Sequence, residues 1–319
     1  MPLPLATPTP RIEACPRTIA LWRAPTAAPR SASRRFNAPA SLRLWHLASL
    51  DAPTVAVVWS LAFAWSVGIR LPLWVPILLA LVTWSVYIGD RLLDARSGLR
   101  SGTFRQLRHR HIFHWRHRRV FLPVAVLAAL AAARMLLALL PTASRAPDSL
   151  LAAATLAYFS GVHSRRRAPA WLAPLLSKEF LVGLLFTLGC ALPAWSRLRM
   201  DTPRQLSLWP FAALIAFFIA LAWLNCVSIA RWEAHPFHAP TGILPRAMFL
   251  AGAGLFIALL LLAHQPRIAA VLCTGAISAL LLALLDRHRR RLSPLALRAA
   301  ADLVLLAPSI LLPLAWILK

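Results

Sequence analysis

Residues 206–231 read LSLWPFAALIAFFIALAWLNCVSIAR, a run whose only charge is the closing Arg231. As an α-helix it rises about 39 Å, more than the roughly 30 Å of a bilayer's hydrocarbon core, and it satisfies its backbone groups internally. Apolar blocks of similar length recur on both sides. Together they number about nine, near 48–69, 71–93, 120–140, 149–163, 172–195, 206–231, 246–264, 267–285 and 297–318. The blocks do not alternate apolar with polar residues as barrel strands do, so each span is predicted as a helix. The expected fold class is all-α, a polytopic membrane helical bundle.

Composition points the same way. Of 319 residues, 59% are hydrophobic and 14% charged, and the mean hydropathy is +0.65. One soluble core does not hide that much apolar surface, so the expected partner is a lipid bilayer. The formal net charge is +25, but the arginines sit in short connections between apolar blocks, where they act as topology signals. No nucleic-acid partner is expected. Cys15, Cys190, Cys226 and Cys273 form no C-x-x-C pair, which indicates neither a disulfide framework nor a zinc site.

Residues 1–44 are rich in Pro, Ala, Ser and Arg with Glu13 as the sole acid, and read as a disordered cytoplasmic tail; residues 45–319 form the transmembrane domain. The tail lacks a secretory signal pattern and a clean amphipathic period, which favours a bacterial inner-membrane protein over an imported organellar one. Arginines crowd the connections after the second, fourth and eighth blocks (Arg96 to Arg119, Arg165 to Arg167, Arg287 to Arg291) and are sparser after the third, fifth and seventh. The positive-inside rule then places the amino terminus in the cytoplasm and the carboxyl terminus outside.

Ten acids in such a chain are few enough to consider singly. Asp148 and Asp201 fall in external connections, and solvated ion pairing accounts for Asp286 beside the arginines after the eighth block. Six lie in or at the ends of spans: Asp51, Asp90, Asp94, Glu179, Glu233 and Asp302. A carboxylate at membrane depth is costly unless paired or facing a wet cavity, so each is a candidate for function. The sharpest pattern is Tyr87-Ile88-Gly89-Asp90-Arg91-Leu92-Leu93-Asp94. Asp90 and Asp94 are four residues apart and project from one helix face, where they can share a hard divalent cation such as Mg²⁺; the alternative is a boundary ion-paired by Arg91. The sixth block ends with Asn225, Ser228 and Glu233 on broadly one side. Lys178 opens the fifth, where it either holds a phosphate as a point charge or snorkels to the headgroups. The stretch RHRHIFHWRHRR, residues 108–119, reads first as a positive-inside loop and second as a diphosphate clamp.

Nine spans, an acidic motif closing the second, a polar motif closing the sixth and a lysine opening the fifth resemble the UbiA prenyltransferase superfamily. The last two acids of its N-D-x-x-D-x-x-x-D motif match Asp90 and Asp94. The run from Tyr158 through Arg165 to Lys178 is similar to the family's tyrosine, basic loop and lysine. Thr241-Gly242-Ile243-Leu244-Pro245 faintly resembles its threonine, leucine and proline after the second motif. The sequence departs from the pattern at Val86 and Tyr87, which replace the leading Asn-Asp, and at Ser228 and Trp232, which stand where acids are expected. The resemblance implies a UbiA-like bundle of two four-helix groups plus a last helix. It further implies transfer of a polyprenyl group from its diphosphate to a lipophilic or aromatic acceptor. In that scheme Asp90 and Asp94 hold Mg²⁺, Lys178 sits on the diphosphate, and Tyr87, Arg91, Tyr158, Asn225, Ser228 and Glu233 line the substrate site. The competing expectation is a protein that binds isoprenoid lipid without catalysis, or a transporter. Arg134 is the clearest mid-span charge a transporter would use.

Overall fold

A computed structural model of the chain describes residues 36–100, 109–139, 177–201, 208–234 and 240–311, with single positions at 153 and 313. Among the described residues the regular elements are helices: α1 (Ala40–Leu47), α2 (Asp51–Ser66), α3 (Trp74–Arg100), α4 (His109–Arg116), α5 (Arg118–Leu139), α6 (Lys178–Asp201), α7 (Trp209–Ala234), α8 (Ile243–Leu261), α9 (Pro266–His288) and α10 (Pro294–Leu303). Two 3₁₀ turns, Arg289–Arg291 and Val304–Leu311, follow α9 and α10. Among the described residues, seven helical segments are long and apolar enough to cross a membrane, and α1 with α2 make an eighth if that pair, bent by 86°, is one span. The chain is an integral membrane protein. Apart from position 153, the span expected at 149–163, and Tyr158 with it, lies outside the described residues.

The first expected span, 48–69, is filled by α2, and a helix that was not anticipated, α1, precedes it across a sharp bend. Between α1 and α2 the chain turns at Ser49, a non-glycine residue with φ of 60°. Left-handed backbone costs an L-residue about 1–2 kcal/mol and persists only where its surroundings hold it. Here they do. Trp84 Nε1 of α3 donates to the Ala48 carbonyl at 2.9 Å. Trp45 Nε1 spans the corner to Thr54 Oγ1 at 3.2 Å, and Arg91 donates to the Ser49 hydroxyl. Helix α1 starts within the stretch read as a tail, and Phe36 exchanges backbone hydrogen bonds with Arg291 and Ser293 at 2.8 and 3.0 Å.

The stretch expected as a solvated positive loop contains α4 instead, which packs against α3. His114 on it is fully buried and tilted against Phe121 of α5 at 4.5 Å between centroids. Aromatic burial outweighs the density of charge. The last expected span is also altered: α10 gives way to 3₁₀ winding at Val304. Pro308 supplies the reason, because it has no N–H for the Val304 carbonyl four residues back. That carbonyl accepts from Ser278 Oγ of α9 at 2.7 Å, and the next, Leu305, accepts from Trp59 Nε1 of α2 at 2.8 Å.

The core lies where α2, α7, α8 and α9 meet. Trp59 stacks on Phe218 with centroids 3.7 Å apart, and Phe63 meets Phe211 and Phe218 edge-on at 5.8 Å each. Helices α8 and α9 present Gly254 and Gly275 to the ring of Phe217; a Cβ on either would come within 2.5 Å of it. Small residues at such crossings let membrane helices close, since lipid gives no hydrophobic drive for the purpose. Asp286 is no solvated ion pair. Its nearly buried carboxylate accepts from Trp232 Nε1 at 2.8 Å, Thr241 Oγ1 at 2.8 and 2.9 Å, the Leu244 amide at 3.2 Å and Arg289 Nη1 at 3.0 Å, tying α7, the start of α8 and the end of α9 together.

Candidate functional site

The polar side chains singled out in the sequence converge on one end of the bundle, in two groups. The outer group is partly exposed. Lys178 Nζ, at the first residue of α6, lies 3.9 Å from Asp90 Oδ1 of α3, with the two side chains 48% and 30% exposed. Asp94, one turn further along α3, is 3.8 Å from His111 Nε2 of α4. Asp90 thus has an ammonium within 4 Å and Asp94 an imidazole, each drawn from a different element. Glu233 at the end of α7 binds Arg298 Nη1 of α10 at 2.9 Å and lies 4.0 Å from Arg110 Nη1 of α4.

The inner group is buried, and is built around the corner at Ser49. Arg91 leaves the outer carboxylates' side of α3 and reaches inward. Its Nη1 donates to Ser49 Oγ and, at 3.3 Å, to the His46 carbonyl; its Nη2 is 3.7 Å from Asp51 Oδ2. It also lies 6.0 Å from the centre of the Tyr87 ring. His46 Nδ1 of α1 lies 2.7 Å from Asp51 Oδ2 and 3.7 Å from Asp302 Oδ2 of α10. Asn225 Nδ2 of α7 donates to Asp302 Oδ1 at 3.2 Å. One donor atom each from His46, Asp51 and Asp302 all fall within 4.8 Å of one another. Two ionised carboxylates within that distance repel by at least about 3 kcal/mol at an effective dielectric constant near 20. Arg91 offsets part of that for Asp51.

Proton positions in the rest of this group follow from its partners. The Arg110 carbonyl, 2.8 Å from His114 Nδ1, only accepts, so Nδ1 carries the proton. Burial keeps the imidazole neutral, so with Nδ1 protonated Nε2 accepts the Ser49 hydroxyl proton at 3.0 Å, while Ser49 Oγ accepts from Arg91. The chain Arg91 to Ser49 to His114 to Arg110 has one direction, and it requires neutral imidazole. Burial first, and the nearby Arg91 charge second, push the His114 pKa down to about 3.

Of the residues bet on from sequence, the structure brings Lys178 to Asp90, and Arg91 and Asn225 to the inner cluster. Ser228 is turned away: its hydroxyl donates to the Leu224 carbonyl of its own helix at 2.6 Å. His46 and Ser49 were missed. Asp51 and Asp302 were noted as intramembrane acids, but their partnership spans most of the chain, and no local spacing signals it. No protein-family model, curated protein or solved structure matches the chain. The class that fold and site define is an all-helical integral membrane protein with converging acidic and basic groups at one bundle end.

Proposed function

We propose that the chain is a membrane-embedded prenyltransferase that moves a polyprenyl group from its diphosphate to a lipophilic or aromatic acceptor at the cytoplasmic face of a bacterial inner membrane. The observation that carries this reading is the approach of Lys178 to Asp90, with both side chains still open to a ligand. A diphosphate needs a cation that solvent can reach and an acidic site for metal beside it. Asp90 and Asp94 offer oxygen donors in a partly exposed setting, which suits Mg²⁺, an ion that keeps several waters and bridges protein carboxylate to phosphate. Mg²⁺ bound there would supply neutralising charge to the departing diphosphate. Lys178 adds a point charge to the same leaving group and cannot serve as base while protonated. The aromatic face of Tyr87, backed by Arg91, borders the turn above Asp90.

Binding without transfer is the second reading, and a specific observation favours it. The polar end of α7 does not supply a second open metal site, because Asn225 bonds to Asp302, Glu233 to Arg298, and Ser228 to its own backbone. Calorimetry of the purified protein with prenyl diphosphates of short and long chain, with and without Mg²⁺, tests the shared step; diphosphate release in the presence of aromatic acceptors separates transfer from binding. Metal-dependent binding that Lys178→Met weakens and Lys178→Arg largely keeps is the expected result. Absence of binding for every chain length with either Mg²⁺ or Mn²⁺ refutes both readings.

A further inference from the structure

The inner cluster is separate from the diphosphate site and is not explained by it. We infer that His46, Asp51 and Asp302 form a site for one divalent transition-metal ion, with the Asn225 side-chain oxygen as a fourth donor. Neither the prenyl-transfer reading nor its metal enters this inference.

Geometry supplies the first support. Two ligand atoms each about 2.1 Å from one ion stand about 3.0 Å apart at a right angle and about 3.4 Å apart at a tetrahedral angle. His46 Nδ1 lies 2.7 Å from one carboxylate oxygen and 3.7 Å from the other, values that straddle this range. The 2.7 Å approach to Asp51 has an angle poor for a hydrogen bond. The nitrogen and the carboxylate oxygen stand side by side, as neighbouring ligands do.

The second support is independent of the acids. Asn225 is 4% exposed, and its amide nitrogen is committed to Asp302, yet its Oδ1 has no hydrogen-bond partner. An orphaned carbonyl oxygen at a buried site costs free energy unless a cation or water meets it. It stands on the amide that already touches the cluster. Charge is consistent with this: Arg91 lies 3.7 Å from Asp51, and Asp302 has the neutral amide of Asn225 and the His46 imidazole beside it. One nitrogen with two or three oxygens is a donor set for Mn²⁺, Fe²⁺ or Zn²⁺, since imidazole disfavours Mg²⁺ and Ca²⁺. Ser49, Arg91 and Trp84, by holding the corner, orient His46 and Asp51 toward Asp302.

The test uses the full chain in detergent, stripped with EDTA and then titrated with Mn²⁺ and separately with Zn²⁺. One equivalent is expected to survive desalting. The Mn²⁺ form should show nitrogen coupling in pulsed electron paramagnetic resonance, which reads the imidazole directly and needs no variant. His46→Gln should abolish that coupling, and Asp302→Asn should weaken binding at least about 100-fold, at the upper end of what loss of an outer partner costs. Asp90→Asn and Asp94→Asn should leave the coupled ion in place, so failure of the diphosphate site and failure of this one are distinguishable. No retained ion with either metal overturns the inference and leaves the acids to share a proton. Bound Mn²⁺ without nitrogen coupling, or coupling that persists in His46→Gln, overturns it equally.

Discussion

Acid should loosen the bundle through His114, and the size of the effect follows from its environment. The imidazole is fully buried, accepts from Ser49 and donates to Arg110. Helix α4 lies outside the membrane-spanning segments, so the unfolded reference is an aqueous histidine with the ordinary value of 6.5, against about 3 in the folded protein. A lowered folded value means that the unfolded chain binds the extra proton. The stability at stake is therefore fully present above 6.5 and is lost as pH falls toward 3. Between neutrality and about pH 5 the loss amounts to about 2 kcal/mol, from 1.36 kcal/mol for each pKa unit. Protonation also puts a hydrogen on Nε2, where the Ser49 proton already points, so the hydroxyl must rotate and its donor loses its acceptor. The assay is reversible unfolding by SDS in mixed micelles at about pH 7.5 and about pH 5, on wild type and on His114→Gln, whose amide keeps a donor and an acceptor but does not titrate. Wild type should lose about 2 kcal/mol more than the variant over that interval. Parallel pH profiles would refute both the neutral assignment and the direction of the hydrogen-bond chain.

Two further substitutions probe the packing. Gly183→Ala places a Cβ 2.8 Å from the Trp223 backbone nitrogen of α7, and the resulting strain of about 1–3 kcal/mol exceeds the roughly 1 kcal/mol of helix propensity gained; a lower melting temperature is expected, and a rise would contradict the close α6–α7 approach. Asp286→Asn removes a charge from a carboxylate that holds four donor groups. It should cost about 3 kcal/mol and expose the start of α8 to proteolysis, whereas an unchanged melting curve would restore a solvated surface role.

The membrane character was legible because it rests on long apolar runs, such as 206–231, that no tertiary contact needs to complete. Breaks inside runs were less so. Ser49 carries no glycine or proline signal, and its left-handed turn exists only because Trp84, Arg91 and His114, between 35 and 65 residues away, hold it. Pro308 was visible, but the hydroxyl and indole that relieve the carbonyls before it come from α9 and α2. The same holds for the sites. Asp90 and Asp94 share a helix face and so can be read from spacing. His46, Asp51 and Asp302 draw on both ends of the chain, and only the seating of α10 against α1 and α2 unites them.

The two acid groups differ in exposure and in the distance of their partners. Asp90 has an ammonium at 3.9 Å and Asp94 an imidazole at 3.8 Å, both too far for direct hydrogen bonds, and the aspartate side chains are about a third exposed. Ligands there exchange with water, and a hydrated ion with a substrate phosphate is the kind of occupant that can come and go. Asp51, at 3% exposure, sits against an imidazole at 2.7 Å and a guanidinium at 3.7 Å, under a corner that carries backbone strain. An ion held there exchanges slowly and serves position more than turnover. Arg91 belongs to the same helix as the outer pair and to the same hydrogen-bond set as the inner one. Movement of α3 on binding a diphosphate would therefore pull on Ser49, and through it on His46 and Asp51. Arg91 is one side chain through which the groups would couple, so Arg91→Lys, which keeps the charge but loses the planar fork, should weaken the inner site more than the outer one. Mn²⁺ retention and diphosphate binding measured on that single variant separate the two effects, and an equal loss at both would mean that Arg91 supports the bundle end as a whole.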